Sequence, residues 1–293
     1  MNDVPALFYE AVCSSRVCSL TPISDCRQLS GRFGKVAVDA FDNAALHVVK
    51  LKNGQFRDGG YFSHFKALCG NWVKNKNVRR KHHWYTLIVV YADSGEYSID
   101  PAALEELSAA TKGKRVALSL KTSNMSKELE KWIGTIQFCF SLNVAADLPR
   151  IPDSLIQKKT LFQLEFMGNT QTSDEVTSQL LQLMKQDQFH QALIFGLSES
   201  NLKKLIAEWR ENASEMAGKI VCCKEQVTLD EELGFRKCTE EDERHFDVIC
   251  PRLKGFRRNA NSVIAKNETE GGVYCFQFAT IPAIIYKTIF VFA

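Results

Sequence analysis

Short apolar runs alternate with helix-like segments from about Trp84 onward, and this rhythm constrains the fold of the chain more than any other feature. Runs of strand length cover Tyr85–Tyr91, Arg115–Leu120, Thr135–Leu142, Leu161–Phe166, Gln191–Phe195 and Lys219–Cys223. Strands that alternate with helices pair in parallel through right-handed crossovers, so the pattern predicts an α/β fold. The sequence leaves open a leucine-rich-repeat-like stack of irregular β/α units and a compact parallel-sheet domain.

Helix start signals lie between these runs. Asp100 precedes Pro101, a combination typical of an N-cap followed by the first helical residue. Thr172-x-x-Glu175 has the form of a capping box, and Ser198 or Ser200 would cap the next helix. The start signals therefore agree with the alternation of strands and helices.

Two of the predicted units resemble each other where a helix passes into a strand. Gly113-Lys114 precedes one apolar run and Gly218-Lys219 precedes another. A glycine at this place can adopt the left-handed conformation that ends a helix, and a cation near a helix C-terminus is favourable. The likeness indicates a repeated β/α unit.

The spacing of apolar residues divides the chain into four segments. Residues 1–52 have helical spacing and form a predicted small helical unit, whereas residues 53–84 are polar and basic and form a predicted connector. Residues 85–280 hold the predicted β/α domain, and residues 281–293 form an apolar tail. The basic connector could also act as a nuclear import signal.

The apolar C-terminal stretch from Val273 to Ala293 is about long enough to cross a bilayer. Lys287 would cost about 2.5–3.5 kcal/mol inside a membrane helix, so we expect no membrane partner. Val273–Phe278 is better interpreted as a core strand, and Ile281–Phe292 as one further strand. A tail anchor and a gene-model artefact remain the alternatives for the tail.

Charge and cysteine content exclude several classes of protein. Lys and Arg number 37 against 34 Asp and Glu, a net charge of +3, so we expect no nucleic-acid partner. The ten cysteines form no C-x-x-C pair, and Cys222 and Cys223 are interpreted as small buried apolar residues. No secretory signal pattern opens the sequence, which predicts reduced thiols and a cytoplasmic or nuclear location. The acidic run Glu240–Glu243, followed by His245, is interpreted as a solvated helix face.

Sequence motifs for catalysis are absent. The chain contains no nucleophile elbow, phosphate-binding loop, zinc-protease motif or dinucleotide fingerprint. We therefore predict no catalytic residues, no metal and no cofactor. An enzyme of unrecognised family, with its site at the ends of the strands near Asp93 and Ser94, is retained as an alternative.

The N-terminal segment begins with Val4-Pro5, continues with apolar residues at helical spacing and reaches Ser30-Gly31-Arg32-Phe33. It resembles the F-box, which runs from a Leu-Pro start through an apolar helix to a Ser-x-Arg-Trp-like end. Ser30-Gly31-Arg32-Phe33 stands at that end, and the residues that carry the resemblance are Val4, Pro5, Leu7, Phe8, Val12, Leu20, Leu29, Arg32 and Phe33. The whole chain is similar to the nematode F-box and F-box-like proteins, in which a divergent β/α region follows the box. Glu208-Trp209 and Gly218-Lys219-Ile220-Val221 resemble the late part of that region.

The resemblance implies a substrate-recruiting adaptor of a cullin-RING ubiquitin ligase, with no enzymatic activity of its own. The nine N-terminal residues would bind a Skp-type adaptor, and through it the cullin complex, while the β/α region would bind a protein substrate. Two alternatives remain open: a non-catalytic scaffold protein that has lost adaptor binding, and the α/β enzyme described above.

Overall fold

The computed structural model describes most of the chain in eleven ranges. They are residues 31–43, 45–63, 86–93, 99–122, 125–144, 148–167, 172–224, 234–249, 260–266, 272–278 and 288–293. The chain divides into two compact units, residues 1–121 with 125–140 and residues 122–124 with 141–293. Each unit is described separately below.

The first unit combines a mixed sheet with three described helices. The helices are α1 (Gly31–Asn43), α2 (Pro101–Thr111) and α3 (Lys127–Ile133). The strands are β1 (Ala45–Lys52), β2 (Gln55–Ser63), β3 (Thr86–Asp93) and β4 (Arg115–Leu120). They follow the order β2-β1-β3-β4, in which β1 pairs antiparallel with β2 and parallel with β3, and β3 pairs parallel with β4.

The hairpin of β1 and β2 corrects our prediction for residues 45–63. We predicted the end of a helical unit and the start of a connector, but both segments are strands. Asn53 and Gly54 form the turn with φ angles of 51° and 74°, as a two-residue hairpin of the primed type requires. Within the helical unit that we predicted over residues 1–52, the structure describes one helix, α1, which ends at Asn43.

The second unit contains most of the β/α units. Its strands are β5 (Phe138–Val144, which begins in the first unit), β6 (Gln163–Phe166), β7 (Gln191–Ile194), β8 (Ile220–Cys223), β9 (Arg236–Lys237), β10 (Ala260–Lys266), β11 (Gly272–Phe278) and β12 (Thr288–Phe292). Its helices are α4 (Asp153–Gln157), α5 (Asp174–Met184), α6 (Glu199–Glu211), α7 (Ala213–Met216) and α8 (Glu240–Ile249). The strands follow the order β5-β6-β7-β8-β12-β11-β10-β9.

The parallel half of this sheet, β5 to β8, has its strands in sequential order. When neighbouring parallel strands are joined in sequence by right-handed crossovers, every connecting helix lies on the same face of the sheet. The burial of β6 agrees, because Leu164 and Phe166 are buried while the alternate residues Gln163 and Glu165 are half-buried. The face that carries Leu164 and Phe166 is called the helix face below.

The antiparallel half of the sheet, from β12 to β9, is covered differently. All five residues of β12 are buried, so apolar groups pack on both of its faces. The face opposite the helix face carries an apolar cluster in which Phe246 of α8 packs on Tyr274 and Phe276 of β11, with ring centroids 4.9 and 4.8 Å apart. The helix α8 therefore covers this end of the sheet.

Most helix boundaries agree with the sequence signals. Asp100 accepts a hydrogen bond from the backbone N–H of Ala102, as an N-cap does, and Ser198 caps α6. The capping box at Thr172 was wrong by one residue, because Ser173 is the N-cap of α5 and accepts from the N–H of Val176 at 3.2 Å.

The two similar glycines adopt the predicted left-handed conformation. The φ angles of Gly113 and Gly218 are 65° and 77°. Lys219 then donates from Nζ to the backbone oxygen of Gln186 at 2.8 Å, and burial lowers the pKa of this amine. The basic residue after the second glycine thus binds the backbone of the segment that follows α5.

The C-terminal stretch continues the sheet. The predicted strand over Val273–Phe278 is confirmed as β11. The further strand predicted over residues 281–292 is confirmed at Thr288–Phe292, and residues 281–287 lie outside the described residues. Within the described part of the chain, no helix combines the length and the apolar character needed to cross a membrane.

Candidate functional site

The face of the parallel strands opposite the helix face carries a compact set of polar side chains. The set, called the polar face below, consists of Ser141, Asn143, Gln163, Glu165 and Gln191. Strand register aligns Ser141, Gln163 and Gln191 in one row across β5, β6 and β7, and it aligns Asn143 with Glu165 in the next row. All five side chains are half-buried, so they lie at the surface and are partly held by their neighbours.

A hydrogen bond joins the two residues at the centre of the polar face. Asn143 donates from Nδ2 to Oε2 of Glu165 at 2.7 Å. These residues are direct partners in the parallel register, so the bond links the middle strand β6 to its neighbour β5. It restricts the rotation of both side chains and holds the carboxylate in one orientation.

Glu165 is the only charged member of the polar face. Among the described residues it forms no ion pair, and Asn143 is its hydrogen-bond partner. Two carboxylates on the helices do form ion pairs: Asp174 of α5 pairs with Lys204 at 2.7 Å, and Glu208 of α6 pairs with Lys185. The polar face therefore presents one half-buried negative charge surrounded by neutral hydrogen-bonding groups.

The polar face borders the apolar cluster under α8. Leu193 lies beside Glu165 in the strand register, Cys222 follows Leu193 in the next strand, and both belong to the cluster. Burial raises the pKa of the Cys222 thiol to about 12, so this group stays neutral. On this face of the sheet, the hydrogen-bonding groups of β6 are therefore directly next to an apolar residue of β7 that is buried in the cluster.

The buried carboxylate of Asp242 fixes the N-terminus of α8. It accepts hydrogen bonds from the N–H of Thr239 at 2.9 Å and from Arg236 at 2.7 Å, and Lys266 contacts it at 2.8 Å. The side chain of Asp242 is only 1% exposed, and the Arg236 guanidinium holds its pKa well below the usual range. Our interpretation of Glu240–Glu243 as a solvated face was therefore wrong at Asp242, which ties α8 to β9 and β10.

The N-terminal residues predicted to bind the adaptor fall mainly outside the described residues. Those outside are Val4, Pro5, Leu7, Phe8, Val12, Leu20 and Leu29. Arg32 and Phe33 lie in the first turn of α1, where Phe33 is half-buried. Of the nine residues predicted to bind the adaptor, the structure thus describes only the last two.

Of the two residues retained for the enzyme alternative, only Asp93 belongs to the described residues. Asp93 is the last residue of β3, and Ser94 lies outside the described residues. His245 lies on α8, and its Nδ1 is 3.0 Å from the hydroxyl oxygen of Tyr274. In the ranges that the structure describes, no group of three His, Cys, Asp or Glu residues could hold a metal ion.

Sequence reasoning missed the polar face, although part of its signal was present. The run Gln163-Leu164-Glu165-Phe166 alternates polar and apolar residues, which indicates a strand with one buried and one solvated face. We used the run only as evidence for a strand. The identity of its neighbours, Asn143 and Gln191, depends on the pairing of three strands and is not a local signal.

The comparisons with known proteins find no relative. No family model, no curated protein and no solved structure matches the chain. The geometry of the described residues therefore stands alone as the basis for a functional argument. A surface of amides, a hydroxyl and one carboxylate is suited to recognition, since it offers both donors and acceptors of hydrogen bonds.

Proposed function

We propose that the chain is a substrate-recruiting adaptor of a cullin-RING ubiquitin ligase, and that its polar face binds the protein substrate. The observation that carries the substrate-binding half is the half-buried polar face on a sheet whose other face holds its helices. Repeated β/α units commonly bind partners on the sheet surface that their helices leave open. The register of three strands gives this surface a fixed arrangement of donors and acceptors.

The adaptor-binding half of the proposal rests on the F-box resemblance of the first residues. The formation of α1 from Gly31 to Asn43 supports it, because the last part of the F-box pattern is a helix. Phe33 stands in that helix and is half-buried. In this proposal the apolar residues from Val4 to Leu29 dock into a groove of a Skp-type adaptor.

Affinity purification of the full chain tests the two halves separately. We expect the wild-type chain to retain a Skp-type adaptor and a cullin, and we expect the double substitution Pro5→Ala with Phe8→Ala to lose both. Failure of the wild-type chain to retain any Skp-type adaptor would contradict the adaptor half. That result, with substrate binding intact, would favour the scaffold alternative.

A pair of tryptophan substitutions tests the substrate half. Gln163→Trp places a large side chain on the polar face, while Ser178→Trp places the same group at an exposed position on α5, in the helix layer. We expect proteins captured by the wild-type chain to be lost with Gln163→Trp and kept with Ser178→Trp. Equal capture by both variants would show that the substrate binds elsewhere.

A further inference from the structure

The centre of the polar face contains a carboxylate that pairs with no cation among the described residues, which bears on the kind of substrate the face would accept. Glu165 is half-buried on the middle strand β6 and is held by Asn143 at 2.7 Å. Among the described residues it has no cation partner. A partly desolvated carboxylate is stabilised when a cation neutralises it, so a positive group from a partner would gain binding free energy here.

The acceptor positions that remain on Glu165 favour a guanidinium over an ammonium group. Asn143 donates to Oε2, which leaves Oε1 and the remaining lone pair of Oε2 as acceptors. A guanidinium carries five N–H donors in a planar fork and can bond both oxygens of one carboxylate, whereas an ammonium group acts as a point charge.

We propose that the polar face recognises an arginine side chain of its protein substrate, with Glu165 as the counter-charge. This inference rests on the proposed function and adds the chemistry that the substrate must have. Leu193, next to Glu165 in the register, marks the start of the apolar cluster. An apolar residue close to the arginine would meet this border of the polar face.

The test uses the full chain and a random peptide library displayed on phage. Peptides enriched on the wild-type chain are synthesised, and their dissociation constants are measured by fluorescence anisotropy. Each is measured again with arginine replaced by citrulline, which keeps the shape but removes the charge. We expect arginine in the enriched peptides and at least about a tenfold loss of affinity with citrulline, since hydrogen bonds to charged groups are strong.

Substitutions in the protein assign that loss to Glu165. In Glu165→Gln, we expect arginine and citrulline peptides to bind with nearly equal affinity, because the counter-charge is gone. Glu175→Gln makes the same change of charge at an exposed position on α5, and we expect it to behave as the wild-type chain. The comparison of arginine with citrulline on the wild-type chain needs no variant, so it holds even if Glu165→Gln folds poorly.

The remaining outcomes separate this inference from the proposed function. Enriched peptides without arginine, or equal binding of citrulline peptides to the wild-type chain, would overturn the arginine inference. If those peptides still lose binding with Gln163→Trp, the polar face remains the substrate site. If Gln163→Trp has no effect on them, or if no peptide is enriched, both the inference and the substrate half of the proposed function are wrong.

Discussion

At the scale of single residues, the carboxylate of Asp242 is held by two cations and by a backbone N–H. It is 1% exposed and contacts two cations, Arg236 and Lys266, that are each about half exposed. We expect Asp242→Asn to lower the free energy of unfolding at pH 7 by about 1–3 kcal/mol, because the two cations lose their counter-charge and a buried bonding group is changed. Urea unfolding measures the loss. The exposed neighbour Glu241, changed to Gln, should have almost no effect.

The contribution of Asp242 should depend on pH in a defined direction. Its pKa in the folded chain lies below the value of about 3.9 for an unfolded aspartate, so the folded state favours the charged form. The stabilisation is therefore complete above about pH 5 and declines as the pH falls toward the folded pKa. Unfolding measured from pH 7 to pH 3 should show the difference between the wild-type chain and Asp242→Asn becoming smaller. A difference that grows toward acid pH would contradict this assignment.

The thiol of Cys222 gives a second prediction for a single side chain. Burial raises its pKa to about 12, so the thiol is almost entirely protonated at pH 8. We expect Cys222 to resist alkylation by iodoacetamide in the folded chain and to react readily in denaturant. Peptide mass spectrometry resolves the two states, and the half-buried Cys238 serves as the comparison. Rapid labelling of Cys222 in the native chain would show that the apolar cluster opens.

At the scale of elements, the start of α5 allows a test of one hydrogen bond. Ser173, rather than Thr172, accepts from the N–H of Val176. Ser173→Ala should therefore lower the free energy of unfolding by about 1 kcal/mol, as for other N-cap residues. Ser178→Ala removes a hydroxyl from an exposed position within the same helix and should cost less. An equal cost in urea unfolding would mean that Ser173 does not act as the cap.

Elements with local sequence signals were predicted from the sequence. The hairpin of β1 and β2 was not predicted, and it shows the limit of local signals. The turn signal Asn53-Gly54 was visible, but the register shifts between Val48 and Val49 and leaves one extra residue in β2, which interrupts the alternation of that strand. The strand β2 contains Gly59, where an added Cβ would lie 2.9 Å from the backbone oxygen of Val48. A glycine is thus required here because the two strands lie close together. Such a contact between strands produces no periodic pattern of apolar residues, so the sequence alone did not reveal it.

At the scale of the whole molecule, the candidate site depends on relations between distant segments. The sequence predicted the strands β5 to β8 but left the arrangement of their helices open. Sequential strand order places those helices on one face, and Phe246 of α8 covers part of the other face. The polar face around Glu165 lies beside the part that Phe246 covers. Its position follows from strand order and from the docking of α8, so no single segment of the sequence could have identified it.

Removing a side chain from one face of β6 should therefore change the free energy of unfolding much more than removing one from the other face. Phe166 is 3% exposed and lies on the helix face, so Phe166→Ala should lower the free energy of unfolding by about 3–5 kcal/mol through the cavity it leaves. Gln163→Ala, on the polar face of the same strand, should change it by less than about 1 kcal/mol. Urea unfolding of the full chain compares the two. A loss for Gln163→Ala as large as that for Phe166→Ala would mean that other parts of the chain cover the polar face, and a covered face could not receive a protein substrate.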